Sequence, residues 1–268
     1  MEEEQPRVSV VVPTRDRPDF LQRCLAALER QTLAVEVVVV EDVEGRGPAR
    51  ARNEGVRRAS GEVICFTDDD CAPAAGWAEA LTAPVLAGEA EAASGPVSMG
   101  KGATAADRAW EAIVNYLQVS AGEPGTASPG FAVTANLAVR RSLLERVPFD
   151  ESFPAAAGED RDWGERASHE GVELRYVAAA PVTHQSGMSA HGFLRQQYRY
   201  GQGAARYRSA GSDRPLGSVG FYIGLLRAGF AAGPTPGMLV GAAQFATIAG
   251  VIRESAKMRL YDDFSRTR

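Results

Sequence analysis

Disulfides, zinc clusters and long apolar runs are all scarce in this chain of 268 residues. Its three cysteines, Cys24, Cys65 and Cys71, are an odd number with no C-x-x-C pair and no neighbouring histidine. Neither a disulfide scaffold nor a zinc site is expected, and the reading is a reduced, cytoplasmic protein. The start, Met1-Glu2-Glu3-Glu4-Gln5, has no apolar h-region, so no secretory signal is expected. There is no G-x-x-x-x-G-K-[ST] loop, which leaves a P-loop nucleoside triphosphatase unsupported, and no G-x-S-x-G elbow for a hydrolase. Gly45-Arg46-Gly47 hints at a dinucleotide turn, but Arg50 stands where the third glycine belongs. A net charge of −5 gives no reason to expect nucleic acid; it suits carboxylates gathered round a metal, which anionic substrates would then need as a bridge.

Residues 62–70 read as a buried-type strand entering Asp68-Asp69-Asp70. Three carboxylates this close repel one another, so the cluster calls for a positive charge among them. At the carboxyl edge of a sheet, two of them at i and i+2 suit an oxygen-seeking ion such as Mg²⁺ or Mn²⁺. The valine runs Val8–Val12 and Val35–Val40 resemble strands buried on both faces of a parallel sheet. Leu21, Leu25 and Leu28 mark a helix over Pro18–Gln31, and a second spans Pro48 to Ala59. The resulting β-α-β-α-β order predicts an α/β, doubly wound half with polar strand ends at Pro13-Thr14-Arg15, Glu41-Asp42 and Asp68–Asp70.

Farther along, a helix over Trp77–Leu86, a strand over Ala92–Val97 and a helix over Ala105–Val119 are expected, then a Gly/Pro/Ser-rich loop over Gly122–Gly130 near a binding site. A strand over Val133–Val139 interrupted by Asn136, helices over Arg140–Val147 and 158–170, a strand over Val172–Val177 and a helix over Phe193–Tyr207 follow. Two apolar segments, Val219–Ala232 and Met238–Ile252, are split at Gly233–Gly237. Neither reaches the roughly 20 residues of a membrane span, so a buried helical hairpin is expected, with an in-plane membrane contact as the alternative.

Taken together, Ser9–Arg17, Val37–Asp42, Ala49–Gly55, Asp68–Asp70, Thr134–Arg141, Phe149–Glu151 and Gly158–Trp163 resemble, in order and spacing, the family 2 glycosyltransferases. The resemblance spans roughly residues 7 to 205 and implies a GT-A-type Rossmann-like sandwich with a mainly parallel central sheet and a C-terminal helical appendage. The expected division is residues 1–210 (a nucleotide-binding half at about 7–98, an acceptor half at about 99–210) and 211–268. The implied activity is metal-dependent, inverting transfer of a sugar, with a UDP-sugar as first candidate donor, to a hydroxyl of a glycan, lipid or small molecule. A sugar-phosphate nucleotidyltransferase and a non-catalytic nucleotide-sugar-binding protein are the alternatives. The former usually opens with a glycine-rich loop where this chain has Pro13–Pro18.

By that resemblance Asp68–Asp70 corresponds to the DXD motif. Asp70 is the direct Mn²⁺ or Mg²⁺ ligand, Asp68 reaches the ribose or the metal, and His184 adds an imidazole. Asp69 is either donor-facing or a loop cap. Asp42 holds uracil, with Glu41 as alternate; Pro13 and Thr14 shape the same edge; Arg15 and Arg52 contact base or phosphates, or serve only as ion-pairing arginines; Asn136 falls on the donor side. Asp160 is the general base, with Glu159 beside it, although carboxylates also favour a helix's first turn regardless of function. Asp162 and Arg166, at i and i+4, read as a structural ion pair. Gln196–Tyr200 partly matches a QxxRW element with Tyr200 in the tryptophan's place, and Arg195 and Arg199 are set to steady the diphosphate.

Overall fold

The computed structural model of the chain describes residues 7–120, 132–153, 157–185, 187–209 and 218–266. The expected loop at 122–130 lies outside them. Two compact units are formed: residues 1–101, 117–156 and 160–186 make the first, and 102–116, 157–159 and 187–268 the second.

The first unit begins β1 (Val8–Thr14), α1 (Pro18–Leu28), β2 (Glu36–Glu41), α2 (Pro48–Arg58) and β3 (Val63–Phe66). Both helices open on a proline, whose missing N–H costs nothing at a first turn. Next along the chain come β4 (Cys71–Pro73), α3 (Trp77–Leu86), β5 (Ala92–Ser94), β6 (Val97–Met99), α4 (Ala105–Ser120, most of which belongs to the second unit), a 3-10 turn (Thr134–Asn136), β7 (Leu137–Arg140), α5 (Arg141–Arg146), α6 (Glu159–His169), β8 (Leu174–Tyr176) and β9 (Val182–His184). The main sheet runs β2-β1-β3-β7-β5-β8. Only β7 opposes its neighbours; every other pairing is parallel, so β1, β2 and β3 end on one edge. A smaller sheet, β4-β9-β6, pairs β4 antiparallel and β6 parallel to β9.

Three strand expectations change, one of them the strand expected over Val133–Val139, whose first half is the 3-10 turn Thr134–Asn136 and whose second half is β7. β1 is buried on both faces as its valine run suggests, and so is β3, but β2 is the sheet edge: Val37 is exposed, Val38 and Val39 are partly so, and Val40 alone of its valines is buried. The single strand expected over Ala92–Val97 is two strands in two sheets. Between them a Cβ on Gly95 would stand 2.7 Å from the Asn136 amide nitrogen, and Pro96 has no N–H to donate to a ladder.

Buried side chains lock the layers. Phe66 meets Phe149 edge-on at 5.4 Å, and Phe149 packs on Trp163 at 5.6 Å. Asn53 holds that ring's backbone from both sides, donating to the Phe149 carbonyl at 2.8 Å and accepting from its N–H at 3.0 Å. Arg141 donates to the carbonyls of Val56, Ala59 and Gly61, which answers the unpaired carbonyls at the end of α2. Asn136 is a second clamp: it accepts from Trp77 Nε1 at 2.8 Å and donates to the carbonyls of Pro96 and Ala180 at 2.9 and 2.8 Å.

The second unit contains α7 (Ala190–Ser209), α8 (Val219–Ala231) and α9 (Pro234–Arg266). Glycines bring these helices close, Gly201 against the Thr247 backbone, Gly250 against the Tyr198 carbonyl and Gly229 against Val240. Arg206 pairs with the buried carboxylate of Glu254 at 2.9 Å. The expected break through Gly237 is shorter than the sequence suggests. Gly233 turns the chain at φ 133°, and the helix restarts at Pro234, where proline fits a first turn. The stretch Pro234–Arg259 is therefore 26 residues and, by length and composition, long and apolar enough to cross a membrane; 28% of its apolar window is buried. The expectation of two segments that are each too short is corrected for the second one.

A Cβ at Gly55 on α2 would collide with the buried, branched Val11 of β1. Gly55→Ala is expected to destabilise the protein by about 1–3 kcal/mol despite alanine's better helix propensity. Chemical denaturation checks this, and an unchanged midpoint would deny the close approach.

Candidate active site

The parallel order of β1, β2 and β3 gathers their carboxyl ends, with Thr14 paired to Glu41 and the three aspartates following β3. Each aspartate has a different partner. Asp68 accepts from Arg52 Nη2 at 3.1 Å; that arginine is buried, its guanidinium 5.9 Å from the Phe149 ring centre. Asp69 turns inward and is buried, accepting from the Thr14 hydroxyl at 2.7 Å, with Arg17 Nη1 at 3.4 Å. Burial pushes the Asp69 carboxyl above its ordinary value, and the Thr14 hydrogen bond offsets part of that rise.

Asp70 is placed by the small sheet. Cys71 in β4 sits opposite His184 in β9, and the N–H of Gln185 donates to the Asp70 carbonyl at 2.8 Å. This pairing sets His184 Nε2 3.1 Å from Asp70 Oδ1, while Arg17 Nη1 lies 2.9 Å from Asp70 Oδ2. Burial pushes the Asp70 carboxyl up, but the His184 hydrogen bond and charge, with Arg17, outweigh it and hold the group below its ordinary value. The Cys71 thiol joins the cluster, and one donor atom each from Asp70, Cys71 and His184 lies within 4.8 Å of the others. Burial first, then Asp68 and Asp70, push that thiol well above its ordinary value. Asp70 and His184 thus offer an oxygen and an imidazole donor side by side, with the buried Cys71 sulfur next to them.

The remaining expected residues have local partners of their own. Asp42 uses one oxygen on the Arg46 N–H at 2.8 Å and the other on the Gly47 N–H at 2.9 Å, closing its own loop. Arg15 is exposed and reaches across that loop; a Cβ on Gly45 would be 2.6 Å from its Nη1. Pro13 is half buried within β1. Asn136 is fully buried with its amide spent on Trp77, Pro96 and Ala180, so the donor-side expectation gives way to a structural clamp in this fold. Glu159, in the second unit, is buried and accepts from the Ala157 N–H at 2.9 Å. Asp160 Oδ1 accepts from the Arg161 N–H at 2.8 Å. The expected Asp162–Arg166 ion pair is present at 2.7 Å. Arg199 is exposed on α7 of the second unit.

Residues 96–252, more than half of the chain, match the model of Glycosyl transferase family group 2, and residues 41–147 match Glycosyl transferase family 2. The chain belongs to the family 2 glycosyltransferases. Its similarity to curated members agrees. It is 27% identical over 229 residues to Glycosyltransferase AglE of Haloferax volcanii, covering 74% of this chain and 73% of that one. It is 26% identical over 222 residues to the Pre-mycofactocin glycosyltransferase of Mycobacterium tuberculosis, covering 74% of this chain but 47% of that longer protein. Among solved structures, the mannosyltransferase PcManGT of Pyrobaculum calidifontis, in complex with GDP-Man and Mn²⁺, superposes with a TM-score of 0.57 at 19% identity, over 97% of this chain and 88% of that one. S. aureus TarS 1–349 in complex with UDP gives 0.51 at 16% identity, over 95% and 91%. The fold of this glycosyltransferase is thus the expected α/β, GT-A type with a mainly parallel central sheet and a C-terminal helical region.

Arg17 lies in the Ser9–Arg17 segment with no role expected of it, yet it pairs with two of the three aspartates. The signal was the like-charge cluster itself, which demanded a positive partner.

The glycosyltransferase's cysteines are all free and buried. Burial, with the three aspartates adding to it, pushes the Cys24 thiol up to about 12. Below that pH the native thiol keeps a proton that an unfolded thiol releases above about 8.5. Native protein at pH 8.5 should resist alkylation by iodoacetamide and react in denaturant, and this contribution to stability should decline as pH rises above about 8.5. Rapid labelling of the native chain, read by mass spectrometry, would contradict the burial.

Proposed function

We propose that this glycosyltransferase moves a sugar from a nucleotide sugar, with a UDP-sugar as first candidate, to a hydroxyl acceptor, inverting the anomeric carbon with the help of Mn²⁺ or Mg²⁺. The observation that carries the reading is the meeting of Asp70 and His184 across the β4–β9 pairing, at the end of β3. An oxygen and an imidazole donor beside the further carboxylates of Asp68 and Asp69 suit an oxygen-seeking ion such as Mn²⁺. Asp70 and His184 would hold the ion, with Asp68 as the outer carboxylate. When bound, the ion neutralises the charge that builds on the departing nucleoside diphosphate.

The chain's own groups would do the rest. The acceptor hydroxyl is far too weak an acid to ionise at neutral pH, so a carboxylate must take its proton as the new bond forms. Asp160, in the first turn of α6, is assigned that role. The bond from the anomeric carbon to the diphosphate breaks, the acceptor oxygen bonds to that carbon, and the proton passes to Asp160. Arg52 holds Asp68 from the buried side and so fixes the carboxylate's direction. Asp42 orders the loop after β2, where the base would lie.

Calorimetry with UDP, GDP and dTDP, each with Mn²⁺ and with EDTA, tests the reading. Metal-dependent binding of UDP is expected, with loss of at least tenfold in Asp70→Ala; metal-dependent GDP binding instead would correct the donor. Asp160→Asn should keep donor binding and lose about 10²–10⁴-fold in transfer rate. Full activity in that variant would remove the base assignment.

We further infer that the second unit lies on an anionic membrane surface in the plane of the bilayer, which would make a cytoplasmic enzyme membrane-associated. Met238, Phe245, Ile248 and Ile252 are exposed at spacings of 7, 3 and 4 along α9, and Val219, Ile223 and Phe230 line α8 in the same way. The opposite face of α9, with Val240, Ala243 and Glu254, is buried within its unit, which favours lying over spanning. Arg253, Lys257 and Arg259 continue the exposed side with positive charge. Co-sedimentation with vesicles is expected to rise when anionic lipid is added and to fall in Phe245→Glu. Equal pelleting with and without vesicles would refute it.

A further inference from the structure

We propose that Arg17 is the resident cation of the carboxylate cluster: in the metal-free enzyme its guanidinium bridges Asp69 and Asp70, and an incoming divalent ion displaces it and leaves it facing the donor's diphosphate. This rests on the metal-dependent donor site proposed above.

The geometry is specific to the loop between β1 and α1. Arg17 is the residue that precedes the first turn of α1, at φ −133°. Asp16 before it is the one non-glycine described residue with positive φ, 52°, a conformation that aspartate tolerates better than most residues. That turn carries the chain from Thr14, which is tied to Asp69, to Arg17, which touches Asp69 and Asp70 together. The carboxylate oxygens are shared out in pairs. Asp69 gives one oxygen to Thr14 and the other to Arg17; Asp70 gives one to His184 and the other to Arg17. A divalent ion bound to Asp70 would meet the same guanidinium, and two cations cannot share one carboxylate without repulsion.

Arg17 can also leave. Its side chain is about half exposed, and its remaining contact is a loose one, with the guanidinium 6.0 Å from the centre of the Phe20 ring. Arg52, by contrast, is buried on Asp68 and has no such freedom. Once displaced, Arg17 stays tethered at the strand edge beside the ion, where the donor's two phosphates must come to reach it. A guanidinium's planar fork matches phosphate oxygens better than an ammonium does. Arg17 would therefore act on both binding events, opposing the metal alone and favouring the donor afterwards.

The test separates those two signs. Free Mn²⁺ is followed by electron paramagnetic resonance as each protein is titrated without nucleotide, and UDP binding is then measured by calorimetry at saturating Mn²⁺. R17Q should bind Mn²⁺ about fivefold tighter than wild type, the size of one partly exposed ion pair, and should bind UDP·Mn²⁺ several-fold more weakly. R17K, which keeps the charge but not the fork, should bind Mn²⁺ as wild type does and fall between the two for UDP. Because the side chain is half exposed, both variants should keep the wild-type circular dichroism spectrum. A general loosening of the site would weaken both affinities together, so that result overturns the inference, as does unchanged Mn²⁺ affinity in R17Q. Should UDP binding by wild type show no dependence on Mn²⁺, the donor-site reading falls and takes this inference with it; Mn²⁺ binding that R17Q leaves unchanged removes this inference alone.

Discussion

Three carboxylates in a row cannot be left to one another, and this constraint organises the first unit. At an effective dielectric of about 20, two unit charges about 4 Å apart repel by about 4 kcal/mol. The chain answers by giving each aspartate its own set of partners, Asp68 with Arg52, Asp69 with Thr14 and Arg17, and Asp70 with His184 and the shared Arg17. Every one of those partners is delivered by a separate piece of the fold: α2, the end of β1, the turn into α1, and β9. The order of elements along the main sheet and the existence of the small sheet both serve that convergence.

The division of labour among similar residues follows from burial. Arg52 and Arg17 both neutralise an aspartate, yet one is buried against Phe149 and the other is half exposed. A buried charge that loses its partner is expensive, so Arg52 belongs to the permanent structure, whereas Arg17 can exchange. Asn53 and Asn136 make the same contrast with polar side chains generally. Each spends its amide on buried partners, backbone groups among them, and fixes where a loop meets a strand.

Much of this was legible in the sequence because it rests on local patterns. The valine runs gave β1 and β2, the apolar run into the aspartates gave β3, Pro18 and Pro48 gave the helix starts, and the order of elements gave the shared edge. What stayed hidden depends on partners distant in the chain. Pairing Cys71 with His184 needs two three-residue strands more than a hundred positions apart, and strands so short leave no periodic signal. Nothing local told that Ala92–Val97 would serve two sheets, because the cause is the approach of Asn136 and Ala180 to Gly95. Asn136 looked like a site residue because its segment matched the family; only the structure shows its amide closed on Trp77, Pro96 and Ala180. The length of α9 was missed for a plainer reason: Pro234 and Pro236 read as breakers, although a first turn accepts them.

The central claim is that Asp70 and His184 form one side of a metal site whose other side is the donor's diphosphate. Pulsed electron paramagnetic resonance of Mn²⁺ bound to the protein with UDP tests it most directly. The account predicts a nitrogen coupling from the histidine, absent in His184→Ala, together with phosphorus couplings from the diphosphate. A spectrum with phosphorus couplings alone, the same in both proteins, would contradict it.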